Sequence, residues 1–261
     1  MNFGKIDRVE YGKNTLFEVV FQARFPELYI IGKENPVEFQ ELIRKNGYPE
    51  SRKSRPSMPS DLPEEVRKIV VKDSSYNFLS EEKDWQVTLS ANSIALTCLN
   101  HYSSYMDFRS RLEKVLDAFS KVYAPSYYTR VGLRYRNIIN KVVLGDTDIK
   151  IEDCIPKHIA PELMGEVKEN VSTFDKFILF DDGDIKANVA TALVVISGKF
   201  GKHEINEEKS YIVDIDGFSE NKIYEVEDAL ARSDSFNENI RNIFRWSITD
   251  ELHQAMEPKS A

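Results

Sequence analysis

Two segments of this chain alternate apolar and polar residues, and this alternation restricts the fold more than any other feature. In the segment Thr15–Phe25, every second residue from Phe17 onward is apolar. In the segment Tyr127–Asn140, Val131 and Leu133 begin a similar apolar face. Because successive side chains of a strand point to opposite faces, we predict that each segment is a strand with one buried face.

Two other segments repeat their apolar residues every three to four positions, as a helix with one buried face does. We predict that they form the two principal long helices, Tyr105–Tyr123 and Ser235–Met256. Ser104 precedes the first of them as a predicted N-cap. Ser235 and Glu238 form a capping box, which is expected to begin the second.

Shorter patterns predict the remaining elements. Asn35 is expected to cap a short helix that ends at Gly47. Residues 49–64 are rich in proline and serine and are expected to form a loop. That loop contains three basic residues, Arg52, Lys53 and Arg55. The other predicted elements are a hairpin of residues 85–98, strands of residues 68–72, 76–79, 167–180, 187–196 and 211–215, and a helix of residues 222–231.

The order of these elements predicts an α+β fold with largely antiparallel sheets. Charge changes along the chain, since residues 1–140 hold 21 basic against 18 acidic residues and residues 141–261 hold 14 against 25. We therefore predict two α+β halves, a slightly basic domain of residues 1–143 and an acidic domain of residues 144–261. The acidic half is an unfavourable nucleic-acid surface, because phosphate contacts need clustered lysines and arginines.

The sequence contains none of the common signatures of nucleotide, cofactor or zinc sites. It has no GxxxxGK(S/T) or GxGxxG loop and no GxSxG elbow. Its four histidines are scattered, without the paired spacing of zinc ligands. We therefore expect no cofactor and no bound metal. Asp214 and Asp216 share one face of the segment YIVDID, which leaves a carboxylate metal cluster open beside the simpler explanation of an ordinary acidic strand.

Composition and cysteine content also indicate the cellular compartment of the protein. No stretch approaches the roughly 18 apolar residues of a membrane-spanning helix. The N-terminal residues lack the apolar core of a signal peptide. The two cysteines, Cys98 and Cys154, provide no disulfide framework. These features predict a cytoplasmic protein that makes no membrane contact.

The polar faces of the two alternating segments form the main candidate site. Its six residues are Glu18, Gln22, Arg24, Arg130, Arg134 and Arg136. If the two strands are neighbours in one sheet, these side chains are expected to share a polar network. The guanidinium groups would then suit a phosphate or carboxylate ligand. The alternative is a structural ladder in which Glu18 pairs with an arginine.

Several segments resemble a sporadically distributed family of bacterial proteins of about this length. They are LFEVVFQARFP, NPVEFQELIR, the hairpin WQVTLS with IALT, RVGLRYRN and IFRWSITDEL. The chain departs from the family at Lys13, Asn14 and Thr15, where family members often have a proline-containing lead. The family has no assigned activity, catalytic residues or cofactor, so the resemblance identifies none in this chain. Its scattered distribution is typical of mobile accessory genes, including phage-defence and toxin–antitoxin systems.

Two functional hypotheses follow from these observations. The first is a non-catalytic binding or regulatory protein of a bacterial phage-defence or toxin–antitoxin system, whose partner is another protein. The alternative is an enzyme acting on a phosphate-bearing substrate, a nucleotide or nucleic acid, with the arginines as an anion clamp and Glu18 as general base. Arginines paired with carboxylates would favour the binding protein, whereas a solvent-lined cleft containing these residues would favour the enzyme.

Overall fold

A computed structural model of the protein describes residues 1, 3, 9–54, 75–145, 149–200 and 203–260. The strands in these ranges are β1 (Val9–Tyr11), β2 (Leu16–Arg24), β3 (Glu50–Ser54), β4 (Ser75–Leu79), β5 (Trp85–Ser90), β6 (Ser93–Cys98), β7 (Arg130–Ile139), β8 (Phe174–Asp182), β9 (Ile185–Phe200), β10 (His203–Ser219) and β11 (Pro258–Ser260). The helices are α1 (Tyr29–Lys33), α2 (Val37–Lys45), α3 (Tyr105–Tyr123), α4 (Lys141–Leu144), α5 (Val226–Trp246) and α6 (Asp250–Ala255). Short 3-10 turns cover Ile151–Cys154, Pro161–Met164 and Lys168–Asn170.

The fold is α+β with antiparallel sheets, which confirms the predicted class. Both alternating segments form strands, because β2 and β7 lie within the predicted ranges. Helix α3 has the predicted bounds, and the Ser104 side chain accepts a hydrogen bond from the Asp107 amide at 3.2 Å. The hairpin of β5 and β6 is also confirmed.

One compact unit consists of Met1–Val19, Leu133–Ser219 and Asp234–Ala261. Its strands follow the order β2–β7–β10–β9–β8, so β8 lies at the edge of the sheet. On one face of this sheet, the side chains of Phe236 and Ile240 from α5 lie over Gly217 of β10. This covered face, with Val213 and Ile215 of β10, forms the core of the unit.

The second compact unit consists of Val20–Gly132 and Glu220–Ser233. Its strands follow the order β3–β4–β5–β6–β2–β7. Helix α3 packs against this sheet through aromatic contacts, with the Phe119 and Phe25 ring centroids 4.9 Å apart and those of Phe108 and Trp85 5.8 Å apart. The division of the chain near residue 143 into a basic and an acidic half stays a prediction from composition.

The prediction for the last helices is wrong in its boundaries. Helix α5 begins at Val226 and continues through Ser235 to Trp246, and α6 then follows as a separate helix. No glycine or proline interrupts residues 226–246, and extending an existing helix costs less than starting a new one. The capping box at Ser235 therefore does not begin a helix. Instead, Thr249 caps α6 by accepting a hydrogen bond from the Leu252 amide at 3.3 Å.

Two shorter predictions are also corrected. The N-cap of α2 is Pro36, and Asn35 does not fill that position. The predicted loop of residues 49–64 begins as strand β3, so Arg52 and Lys53 lie on a strand that pairs with β4. This pairing with β4 supplies backbone hydrogen bonds that local composition does not reveal.

The remaining predictions differ at the ends of elements. The strand predicted over residues 167–180 begins only at Phe174, after the 3-10 turn Lys168–Asn170. The predicted strands at 187–196 and 211–215 are longer in the structure, as β9 and β10. Arg55 and the predicted strand of residues 68–72 lie outside the described residues.

Ser104 caps α3, whereas Ser235 lies inside α5, and this difference yields a prediction. We expect Ser104→Ala to lower the free energy of unfolding by about 1 kcal/mol, because the first turn of α3 loses a hydrogen-bond acceptor. The matched variant Ser235→Ala lies inside α5 and is expected to change it by less than half as much, since alanine is a better interior helix residue. Urea unfolding monitored by circular dichroism measures both; a larger effect at Ser235 would contradict the assigned start of α5.

Candidate functional site

The polar face of the first unit's sheet is organised around Asp214 on β10. Arg134 on β7 donates two hydrogen bonds to this carboxylate, from Nε to Oδ1 at 2.7 Å and from Nη2 to Oδ2 at 2.6 Å. Two parallel bonds of this kind form the bidentate fork that an arginine and a carboxylate favour. The alternation of β7 and β10 places both side chains on the face opposite the core, because Leu133, Tyr135 and Val213 are buried.

A second ion pair extends the network to β2. Arg136 donates from Nη1 to Oε2 of Glu18 at 2.9 Å. Its Nε lies 3.4 Å from Asp214 Oδ2, and its guanidinium carbon is 4.9 Å from the centroid of the Phe17 ring. The aromatic contact adds a cation–π attraction to the ion pairs. Four side chains from three strands therefore form one network, with Arg134 and Arg136 pairing Asp214 and Glu18.

Asp214 is the member of this network whose charge is most costly to bury. Its side chain is only 11% exposed, whereas that of Arg134 is 47% exposed. A buried carboxylate is costly unless a cation and hydrogen bonds compensate its charge. The hydrogen bonds that Arg134 donates to Asp214 raise the pKa of the Arg134 guanidinium above its ordinary value, with smaller contributions from the charges of Asp216 and Glu18. The network is therefore balanced in charge and does not form a cationic cradle.

The structure places the six predicted site residues in two groups. Glu18, Arg134 and Arg136 belong to the network of the first unit. Gln22, Arg24 and Arg130 belong to the second unit. There, Arg24 donates from Nε to Oε1 of Gln22 at 3.0 Å. A single network that contains all six residues stays a prediction.

Asp214 is the member of this network that the sequence-based site omitted. The sequence places Asp214 and Asp216 on one strand face, as part of an ordinary acidic strand or of a carboxylate metal cluster, and does not identify them as arginine partners. In the structure both oxygens of Asp214 accept hydrogen bonds from Arg134. Alternation alone would have identified Asp214 as a carboxylate facing away from the core. Its pairing depends on β10 lying beside β7, which the sequence does not specify.

No model of a known protein family matches this chain. No curated protein matches its sequence either. Within the described ranges, no helix combines the length and apolar character needed to cross a membrane.

The other candidate groups are an acidic turn and two cysteines. Gly183 and Asp184 form a two-residue turn between β8 and β9. Both cysteines are buried, Cys98 in the second unit and Cys154 in the first. Burial raises the pKa of the Cys98 thiol and of the Cys154 thiol to about 12. At neutral pH neither thiol has the anionic form that a nucleophile requires.

Thiol reactivity tests this burial. We expect neither cysteine of the native protein to react with Ellman's reagent within minutes at pH 8, because the thiolate is scarce and inaccessible. Both are expected to react at once in 6 M guanidinium chloride. Rapid release of one equivalent from the native protein would contradict the burial, and the variants Cys98→Ser and Cys154→Ser would identify the thiol.

Metal content is a separate prediction. Among the residues that the structure describes, no three histidine, cysteine, aspartate or glutamate side chains gather as metal ligands. We expect the purified protein to carry no stoichiometric transition metal. Elemental analysis measures this directly, and about one zinc ion per chain would contradict it.

Proposed function

We propose that the protein is a non-catalytic binding or regulatory protein. We also propose that its arginine face, formed by Arg134 and Arg136 with their carboxylate partners, is structural. One observation supports this proposal: the guanidinium groups of Arg134 and Arg136 are already paired with Asp214 and Glu18. An anion clamp needs guanidinium donors directed at a vacant position. In this network, the donors that would hold a phosphate hold protein carboxylates instead.

The energetic argument disfavours exchange of Asp214 for a phosphate. A ligand that took the Arg134 fork would remove both hydrogen bonds that the Asp214 carboxylate accepts, and would leave this 11% exposed side chain with the Arg136 guanidinium alone. Removing the main partner of a buried charge is costly. The ligand would also approach the carboxylates of Glu18 and Asp216, which repel an anion. A phosphate-bearing substrate would therefore bind this face at a net loss.

The proposed role of Glu18 as general base is also weakened. One oxygen of its carboxylate accepts a hydrogen bond from Arg136 at 2.9 Å, and the side chain is 22% exposed. A general base must reach the proton that it removes from the substrate. Glu18 is instead directed at the guanidinium group of a neighbouring strand. Its geometry supports the structural alternative.

The proposal includes the setting in which the protein acts. Its partner is another protein, and it acts in the cytoplasm of a bacterium. A role in phage defence or in a toxin–antitoxin pair rests on the family resemblance alone. The genes that neighbour its own are the observation that bears most directly on that role.

Thermal and chemical unfolding test the structural role. We expect Arg134→Ala to lower the free energy of unfolding by about 1–3 kcal/mol, because it removes both hydrogen bonds that the Asp214 carboxylate accepts. The matched variant Arg24→Ala removes an exposed arginine bonded to a neutral amide and is expected to change it by about 0.5 kcal/mol or less. The double variant Arg134→Leu, Asp214→Leu is expected to recover most of the loss, since no buried charge remains unpaired.

Ligand-dependent stabilisation distinguishes the two functions. Inorganic phosphate, ATP and a short single-stranded oligonucleotide are each added to the wild type and to Arg134→Ala during thermal scans. The structural role predicts no rise in melting temperature for either protein. A rise in the wild type that Arg134→Ala abolishes would contradict the proposal and support the enzyme.

A further inference from the structure

Strand β8 leaves one side of its backbone without a partner among the described strands. It lies at the end of the strand order of the first unit and pairs only with β9. This pairing is continuous and antiparallel from Phe174 opposite Leu193 to Asp182 opposite Ile185, with no bulge. A long and regular edge strand is the form to which an additional strand binds most readily.

The turn between β8 and β9 determines which backbone groups face the open edge. In a hairpin with a two-residue turn, the flanking residues Asp182 and Ile185 exchange two hydrogen bonds. Bonded and non-bonded pairs then alternate, so Phe180 and Ile178 also bond to β9. The N–H and C=O groups of Phe177 and Leu179 therefore point away from β9, toward the open edge.

The usual protection of an edge strand is weak in β8. The strand contains no proline and no glycine. Its only lysine, Lys176, lies on the face opposite Phe177 and Leu179 and donates to the backbone carbonyls of His158 at 3.2 Å and Ile159 at 2.8 Å. Natural proteins commonly guard an edge with a free lysine, a proline or a bulge.

Exposed apolar side chains occupy the middle of this strand. Phe177 and Leu179 are 65% and 50% exposed, and they lie on one face, opposite Ala190 and Asn188 of β9. The exposed carboxylates of Asp175 and Asp181 flank them on the same face, and Lys186 lies 3.8 Å from Asp181. An apolar centre between two acidic ends is complementary to a strand with an apolar centre and basic ends.

A second copy of this chain fits the edge less well. In a two-fold antiparallel pairing centred on Ile178, Phe177 would face Leu179 of the other copy. The same register would place Asp175 opposite Asp181, and directly opposed like charges are destabilising. The net charge of −8 per chain adds repulsion between copies. The charges therefore favour a basic partner over self-association.

We propose that the open edge of β8 binds an extended segment of another protein by strand addition, and that one face of this segment carries two neighbouring apolar residues with a lysine or arginine at each end. Backbone bonds at Phe177 and Leu179 would supply affinity, while Asp175 and Asp181 would select the basic ends. This inference goes beyond the proposed function in naming the surface and the chemistry of the partner. It does not depend on the arginine face.

Fluorescence anisotropy with a defined probe tests the proposal. The probe is a fluorescein-labelled peptide, Lys-Thr-Val-Thr-Val-Thr-Lys, whose lysines and valines share one face of a strand, titrated with the full chain. We expect it to bind at least ten-fold more tightly than the same peptide with glutamate in place of lysine. Methylation of the backbone nitrogens on the peptide edge that faces β8 is expected to abolish binding, because it removes the donors of the new ladder.

Variants of the chain locate the bound peptide. We expect Leu179→Lys to weaken binding of the basic peptide at least ten-fold, through lost apolar contact and like charge. Ile30→Lys, at a 59% exposed position on α1, is the matched control and is expected to leave binding unchanged. Leu179→Pro removes a backbone donor at the open edge without removing a bond to β9. Its melting temperature shows whether it folds, and Leu179→Lys remains informative if it does not.

Three results would overturn the proposal. The first is failure of the basic peptide to bind the wild type, and the second is equal binding to Leu179→Lys. The third is a dimer in analytical ultracentrifugation that Leu179→Lys dissociates, which would assign the edge to a second copy. None of these results decides the proposed function, which depends on the ligand-dependent thermal scans of the arginine face.

Discussion

The carboxylate of Asp214 imposes the strictest requirement on the sheet of the first unit. An ionised group with this degree of burial is tolerated only where a cation and hydrogen bonds compensate it. Arg134 meets the requirement from β7, and Arg136 approaches the same carboxylate while pairing Glu18 of β2. A shift of β7 by one residue against β10 would move both guanidinium groups to the core face. The ion pairs therefore fix the register of three strands.

The elements that the sequence predicted well are those with a strong local period. The alternation in β2 and β7 and the apolar stripe of α3 depend only on residues within each element. The start of α5 was missed because the capping box at Ser235 is a local signal, and an uninterrupted helix from Val226 overrides it. Strand β3 was missed because its pairing with β4, and not its own composition, stabilises it.

The candidate site could also be predicted from the sequence only in part. The pairing of Glu18 with an arginine could be anticipated, because their two strands have matching polar faces. The pairing of Asp214 could not, because it requires β10 to lie beside β7, about 80 residues away along the chain. The sequence groups Arg134 and Arg136 with other arginines as a cationic face, whereas the structure pairs them with Asp214 and Glu18. This difference is the reason for proposing a structural role for these two arginines.

The first unit is assembled from three separate stretches of the chain, and this has a consequence during synthesis. Residues 16–19 of β2 leave the ribosome more than a hundred residues before Leu133 and the rest of β7. At a translation rate of about 5–20 residues per second, they wait on the order of ten seconds for their neighbouring strand. During this interval β2 lacks its neighbour β7, although β6 on its other side has already been synthesised. A chaperone that covers nascent apolar segments would therefore stay bound longest at these residues of β2.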